Sequence, residues 1–154
     1  MRLGLVSDTH GFFDPRLADL LAGVDHILHA GDVGRLSVLD DLRAIAPVTA
    51  VLGNVDFPEM GLRLTECVEW AGKKFLLHHI VNPQHPGEDL QQSLAERQPD
   101  VVVFGHSHQP FQQRLRGVLY FNPGYAGPQR FNQPRSVAIA RLDGQALRFE
   151  HLPL

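Results

Sequence analysis

The sequence predicts an α/β fold in its first half that passes into α+β in its second. Short apolar segments alternate with amphipathic helical ones as far as residue 52, and hairpin patterns dominate after residue 111. Several of the apolar segments also end in glycine followed at once by a polar residue, as in Gly31-Asp32, Gly53-Asn54 and Gly105-His106. Strand–helix–strand alternation implies a parallel sheet with right-handed crossovers. In such sheets functional groups collect beyond the carboxyl ends of the strands.

Leu3-Gly4-Leu5-Val6 reads as the first strand and runs into Ser7-Asp8-Thr9-His10-Gly11. Asp14-Pro15 then opens a helix, since Asp caps well and Pro suits the first helical position. Leu17, Leu20 and Leu21 give that helix one apolar face, and Gly23 stops it. Val24 to Ala30 reads as the second strand. Ser37 is the expected cap of a second helix with Val38, Leu42 and Ile45 on its apolar side, ended by Pro47. Val48 to Leu52 is the third strand.

Arg63 to Trp70 and Lys73 to Ile80 pair across Ala71-Gly72. Glu88 to Arg97 is a short helix. Val101-Val102-Val103-Phe104 reads as a strand buried on both faces, leading into Gly105-His106-Ser107-His108. Phe111 to Leu115 and Val118 to Phe121 form a hairpin, followed by the turn Asn122-Pro123-Gly124. Ser136 to Leu142 and Ala146 to His151 form a second hairpin across Asp143-Gly144. Tyr125 to Pro134, rich in Gly, Pro and Gln, reads as the loosest stretch.

At 154 residues with 44% hydrophobic content, one domain spanning residues 1–154 is expected. No apolar run reaches membrane-spanning length and the chain enters a strand pattern directly, so a cytoplasmic protein without a membrane partner is expected. One cysteine, Cys67, excludes an internal disulfide and a thiolate-only metal site. A net charge of −3 argues against stable nucleic-acid binding through a basic surface. Nine histidines are the compositional oddity, and several fall at strand ends, where an imidazole must be paired or solvated.

Sorted by chemistry, the strand-end groups are the carboxylates of Asp8 and Asp32, the amide of Asn54, and imidazoles at His10, His78, His106 and His108. Asp and Asn after Gly are also ordinary turn residues, but turn chemistry does not explain the histidines. The set is too large for one catalytic ion and lacks the sulfur of a structural zinc site. It suits two adjacent first-row metals, one carboxylate bridging them. Such a pair, about 3.5–4 Å apart, stabilises attacking and leaving oxygens in phosphoryl displacement and acidifies a bridging water.

In this order, Asp8-x-His10, Gly31-Asp32, Gly53-Asn54, His78 and Gly105-His106-x-His108 closely resemble the calcineurin-like metallophosphoesterases. The match is nearest their small bacterial and archaeal phosphodiesterases and extends to Asn122-Pro123-Gly124. The resemblance implies a four-layer sandwich of two mixed β-sheets flanked by α-helices. It implies Asp8, His10, Asp32 and His108 on a first metal, Asp32 bridging, and Asn54, His78 and His106 on a second. The implied activity is hydrolysis of a small phosphodiester. Manganese is the expected ion, while the N and O donors also admit Fe, Zn, Ni or Co. Small relatives suggest a homodimer or homotetramer.

Three places depart from the wider pattern, one of them His78-His79-Ile80, where many relatives carry His-Gly-His. Val55 stands where a histidine often protonates the leaving group, so Asp32 and Asn54 are joined as catalytic candidates by Asp56 and His79. Asp56 alternatively serves as a turn or ligand-orienting carboxylate, and His79 as a ligand-orienting, substrate-facing or edge residue. Tyr125 replaces a frequent serine. His29 reads equally as a core histidine or as a hydrogen-bond partner to a metal-binding carboxylate. His26, His85 and His151 read as surface or edge residues, and Arg130 and Arg135 as solvated loop arginines or phosphate contacts. Two other activities stay open: a phosphomonoesterase, and a non-catalytic protein-binding scaffold of the same fold, as in a retromer subunit. A DNA nuclease would need a capping region and a basic track, neither of which is visible.

Overall fold

Strict side-chain alternation sets the architecture. In the computed structural model, which describes all 154 residues, strand β1 (Arg2–Val6) sends Leu3 and Leu5 to one side and Val6 to the other. It pairs in parallel with β2 (His26–His29), which pairs in parallel with β3 (Val48–Ala50). On its other edge β1 runs antiparallel to β9 (Ser136–Asp143), itself hairpinned to β10 (Ala146–Pro153). The first sheet thus has the order β10-β9-β1-β2-β3.

The second sheet takes the order β4-β5-β6-β8-β7, from β4 (Thr65–Trp70), β5 (Lys73–His78), β6 (Val101–Val103), β7 (Phe111–Leu115) and β8 (Val118–Asn122). Strands β5, β6 and β8 are mutually parallel, with β4 and β7 antiparallel at the edges. Both sheets are therefore mixed.

Between the sheets lies a core of Leu3, Leu5, Leu28, Phe75, Leu77 and Phe121, among others. Outside the first sheet, α1 (Leu17–Leu20) and α2 (Leu36–Arg43) bury Leu17, Leu21, Leu39 and Leu42 against Ile27 and Ile139. Outside the second, α3 (Glu88–Arg97) covers Leu76, Val102 and Tyr120 with Leu90. The four layers expected from the resemblance are present: helices, sheet, sheet, helix. No helix is long and apolar enough to cross a membrane.

Local differences from the sequence reading have local causes. The first helix shrinks to a single turn because tighter i→i+3 bonds replace the α-helical ones on both sides, from Ala18 to Pro15 before it and from Ala22 to Asp19 after it; Asp14 still accepts the Arg16 backbone N–H at 3.0 Å, as a cap does. Ser37 lies inside α2 rather than capping it, the extended Arg35 taking the boundary. The stretch from Tyr125 is not loose at its start: Tyr125 and Ala126 are fully buried, and the Tyr125 hydroxyl donates to the Pro128 carbonyl at 2.7 Å.

Phe121 is wholly buried between the sheets, stacked on His151 with ring centroids 4.6 Å apart. Phe121→Ala should cost about 3–5 kcal/mol of unfolding free energy, read from urea denaturation curves. A loss below ~1 kcal/mol would show that the core between the sheets is not closely packed there.

Candidate metal centre

Parallel strands that end level with one another deliver their following residues to one edge. Asp8 and His10 follow β1, Asp32 follows β2, and Asn54 follows β3 in the first sheet; His79 follows β5, and His106 and His108 follow β6 in the second. Five of these residues hold left-handed backbone, with φ of 56° at Asp8, 48° at His10, 53° at Asp32, 69° at His106 and 59° at His108. Asp, Asn and His tolerate that region better than most residues. Repeated at one edge, it turns each side chain back toward the seam between the sheets.

Glycine is required here for space. A Cβ on Gly53 would collide with the backbone N and Oδ1 of Asp32, and one on Gly105 with the Ser7 hydroxyl and the Asp8 carboxylate. Each glycine thus abuts a carboxylate carried by a different strand, which accounts for two of the Gly-polar pairs in the sequence.

Two groups of donors result: Asp8, His10 and His108, and Asp32, His79 and His106, each with its potential ligand atoms within 4.8 Å of one another. Asp8 Oδ1 lies 3.3 Å from His108 Nε2 and 3.8 Å from both His10 Nε2 and His79 Nε2. Asp32 Oδ2 lies 3.1 Å from His79 Nε2 and 3.7 Å from His10 Nε2, so this oxygen faces both groups. Asn54 Oδ1 sits 2.9 Å from His106 Nδ1. Asp8 Oδ2 is satisfied by the Ser7 hydroxyl at 2.7 Å and the His106 N–H at 3.1 Å.

Asp8 Oδ1 and His79 Nε2, by contrast, are buried without a hydrogen bond, the His79 nitrogen facing the carboxylate oxygens of Asp32 and Asp8. An orphaned carboxylate oxygen and an orphaned imidazole nitrogen facing one hollow are costly without a cation. These donors fit divalent first-row metals.

Both carboxylates are held ionised. Burial opposes the charge on Asp8, but the imidazoles of His10, His79 and His108 and the Ser7 hydroxyl outweigh it and hold its pKa below the usual value. For Asp32, burial is likewise outweighed, here by His79 and the Val55 N–H, and the pKa falls to about 2.

At the end of β5 the structure departs from the sequence reading. Phe75 and Leu77 point between the sheets while Leu76 points toward α3. Alternation continues, so His78 faces away from the donor groups and its Nδ1 bonds the Thr65 hydroxyl at 2.8 Å. His79 is the imidazole in the cluster. Its Nδ1–H donates to the Ala30 carbonyl at 2.7 Å, which leaves the Nε2 lone pair facing the cluster, the orientation a backbone carbonyl gives to metal-binding histidines.

Of the two readings open to Asp56, direct participant or loop-tying carboxylate, its contacts are those of the second. One of its oxygens accepts the Gly34 N–H at 2.8 Å, and the other accepts those of Val33 and Gly53 at 3.1 and 2.8 Å. The carboxylate is consumed in tying the loop after β2 to the loop after β3.

The pattern that defines the calcineurin-like phosphoesterase superfamily domain matches residues 1–145. The chain belongs to that superfamily. A probable metallophosphoesterase of Methanothermobacter thermautotrophicus is 33% identical, the match covering 97% of this chain and 91% of that protein. The phosphodiesterase YfcE of Escherichia coli is 29% identical over 96% of this chain and 90% of its own. Among solved structures, the zinc complex of Vps29 from Entamoeba histolytica superposes with a TM-score of 0.75 at 23% identity, covering 99% of each chain, a likeness of fold.

Around the donors of this calcineurin-like domain stand residues that the sequence offers only as a turn, an edge histidine or loop side chains, and their contacts make several of them supports. Asn122 donates to the Gly105 carbonyl and the Ser107 hydroxyl, each at 3.1 Å, and so pins the loop carrying His106 and His108. His151 is no ordinary edge residue, since its Nε2 donates to the Asn122 carbonyl at 2.8 Å. The Tyr125 ring stacks on His108 with centroids 4.6 Å apart, and the Arg130 guanidinium lies 5.7 Å from the Tyr125 ring centre. Arg135 is buried on the Gly127 carbonyl at 2.6 Å and the Asp14 carboxylate at 3.0 Å, which removes it as a phosphate contact.

His29 is a fully buried connector. The Thr9 hydroxyl gives its single proton to the Val33 carbonyl at 2.9 Å, so His29 Nε2–H must donate to Thr9 at 2.9 Å. Its Nδ1 accepts the Gly31 N–H at 3.2 Å. The ring is thus neutral and bonded at both ends, joining the loop of Asp8 and His10 to that of Asp32. Burial lowers its pKa to about 4. Above pH ~6.5 neither folded nor unfolded chain protonates this ring, and its full contribution is present. As pH falls from ~6.5 towards about 4 only the unfolded chain takes up the proton, so stability falls by about 1.4 kcal/mol per pH unit. Denaturation in chelator at pH 7 and pH 4.5 should therefore show wild type losing roughly 2–3 kcal/mol more than His29→Gln. Equal losses would mean that His29 is not buried neutral.

Proposed function

We propose that this chain is a metal-dependent phosphodiesterase with a binuclear centre, most active with manganese. The two orphaned atoms, Asp8 Oδ1 and His79 Nε2, carry this reading. In it, Asp8, His10 and His108 hold one ion, and Asn54, His79 and His106 hold the other. Asp32, whose Oδ2 faces both groups, is the shared ligand. His79 takes the place that the resemblance implies for His78. When bound, the ions would supply Lewis acidity toward the phosphoryl oxygens and bring a water's pKa to about 7. No serine or cysteine nucleophile is then needed.

The protein's own side chains set the remaining terms. The depressed pKa values of Asp8 and Asp32 keep both carboxylates charged at neutral pH. The Ala30 carbonyl and the Tyr125 ring fix the orientations of His79 and His108. Proton donation to the leaving alcohol is poorly provided for: Val55 has nothing to give and Asp56 is fully engaged by backbone N–H groups. Esters of acidic alcohols, which leave without a proton, are therefore the favoured substrates. The buried, unpaired donors favour an enzyme over a protein-binding scaffold of the same fold.

Replacing the two adjacent histidines separates the possibilities. His79→Ala should lose more than about 100-fold in kcat/KM toward methyl p-nitrophenyl phosphate, beyond the roughly 10–100-fold typical of losing a supporting hydrogen bond. It should also bind about half the manganese of wild type. His78→Ala should keep its metal content, with kcat within about threefold. The reverse pattern would return the ligand to His78. Asp32→Asn should abolish turnover and weaken both ions, measured by metal analysis after dialysis. Chelator-treated protein should be inactive and recover with manganese; full activity in chelator would overturn the metal-dependent reading. Hydrolysis of monoesters but not diesters would make the protein a phosphomonoesterase.

A further inference from the structure

Beside the donor cluster, a cavity of about 210 Å³ opens between the loop after β3 and the end of β5. Leu52, Leu64 and Ile80 form its apolar walls, and Asn54, His78 and His79 its polar ones. Asn54 and His79 also belong to the donor cluster, so the cavity and the metal centre share a wall. No lysine, arginine, aspartate or glutamate lines it. Leu64 and Ile80 stand at the mouth 65% and 52% exposed, large apolar side chains left in water beside a polar site.

The mouth is held by backbone pairing. Arg63 makes an isolated bridge with Val51, and the Leu52 N–H donates to the Arg63 carbonyl at 2.8 Å. Thr65, on the other side of Leu64, pairs with His78 in the β4–β5 ladder and fixes the His78 ring through its hydroxyl. The ring that turned away from the metal centre is thus a wall of the adjoining cavity.

We infer that this cavity is a subsite for one ester substituent of the substrate, and that the substituent is a single aromatic ring. The inference rests on the phosphodiesterase reading, which places phosphorus at the shared wall. Volume supports it: an apolar cavity of about 150 Å³ accommodates benzene, and this one leaves room for a substituent as well. Charge supports it too, since a carboxylate, ammonium or second phosphate would meet no counter-ion there. An aryl ester also releases a phenol, an alcohol acidic enough to leave without the proton donor that Val55 and Asp56 fail to supply.

Phenylphosphonate and methylphosphonate, which share a head group and differ only in the substituent, test the subsite. Titration calorimetry on manganese-loaded wild type should show phenylphosphonate binding at least about tenfold more tightly. In Leu64→Ser/Ile80→Ser the ratio should fall to near one, with methylphosphonate affinity and thermal unfolding unchanged. Hydrolysis of methyl p-nitrophenyl phosphate, measured in parallel, reports on the phosphodiesterase reading itself. Equal affinities in wild type, or a preference for phenyl that survives the double substitution, would overturn the subsite whatever the turnover. A preference abolished by the substitution in a protein without metal-dependent turnover would keep the subsite and sink the phosphodiesterase.

Discussion

Two buried carboxylates that must both stay ionised govern this molecule. Asp8 and Asp32 are 0% and 2% exposed, at the ends of neighbouring strands. Like charges so placed repel and resist ionisation. The surroundings overcome this with the Ser7 hydroxyl, the N–H groups of His106 and Val55, and a fence of imidazoles. Even so, one carboxylate oxygen and one imidazole nitrogen are left without partners. Positive charge entering the hollow offsets their cost, so the site's own electrostatics favour a cation.

The rest of the fold can be understood as what brings these charges together. Neither sheet alone holds a full donor group: Asp8, His10 and Asp32 come from the first, while His79, His106 and His108 come from the second. The core of leucine, valine and phenylalanine between the sheets therefore sets the distance between the two halves of each group. Gly53 and Gly105 are the points at which that distance would be violated by a single methyl group. Left-handed backbone at five donor positions is a related constraint, because it costs energy at each and persists only where neighbouring contacts over-determine it. Here those contacts are the clamps made by His29, Asp56 and Asn122, whose hydrogen bonds run from one strand-end loop to another.

This division explains what could be read in the sequence. The parallel strands, their crossovers and the glycine-polar endings are local signals, and they located six of the seven expected donors at one edge. His78 and His79 were harder. The alternation through Phe75, Leu77 and His79 was present in the sequence and points inward. It carried little weight while the inward face of the strand was unknown, since Leu76 is as apolar as its neighbours. Asp56 and His29 show a different limit. Asp56 takes N–H groups from Val33 and Gly34, more than 20 residues away, and His29 bonds Thr9, 20 residues back. Such partnerships exist only once the crossovers are made. Tyr125 was masked by the Gly, Pro and Gln around it, a composition that signals looseness even where one ring is buried to 0% exposure.

The strip between the loop after β3 and the residues leading into β4, joined by the Val51–Arg63 bridge, separates chemistry from selection. The charged atoms lie at the seam between the sheets, and their positions are fixed by both cores at once, which leaves little room for change without losing the cation. Leu64 and Ile80 lie just outside, on backbone secured by the Val51–Arg63 bridge and the β4–β5 ladder, yet their side chains bear no part of the core. A side chain that is more than half exposed can be exchanged with small effect on stability. The same exchange alters an apolar surface that shares a wall with the donor cluster through Asn54 and His79. On the subsite reading, discrimination between substrates falls to positions where variation is cheap, while the clustered donor residues sit where almost none is tolerated.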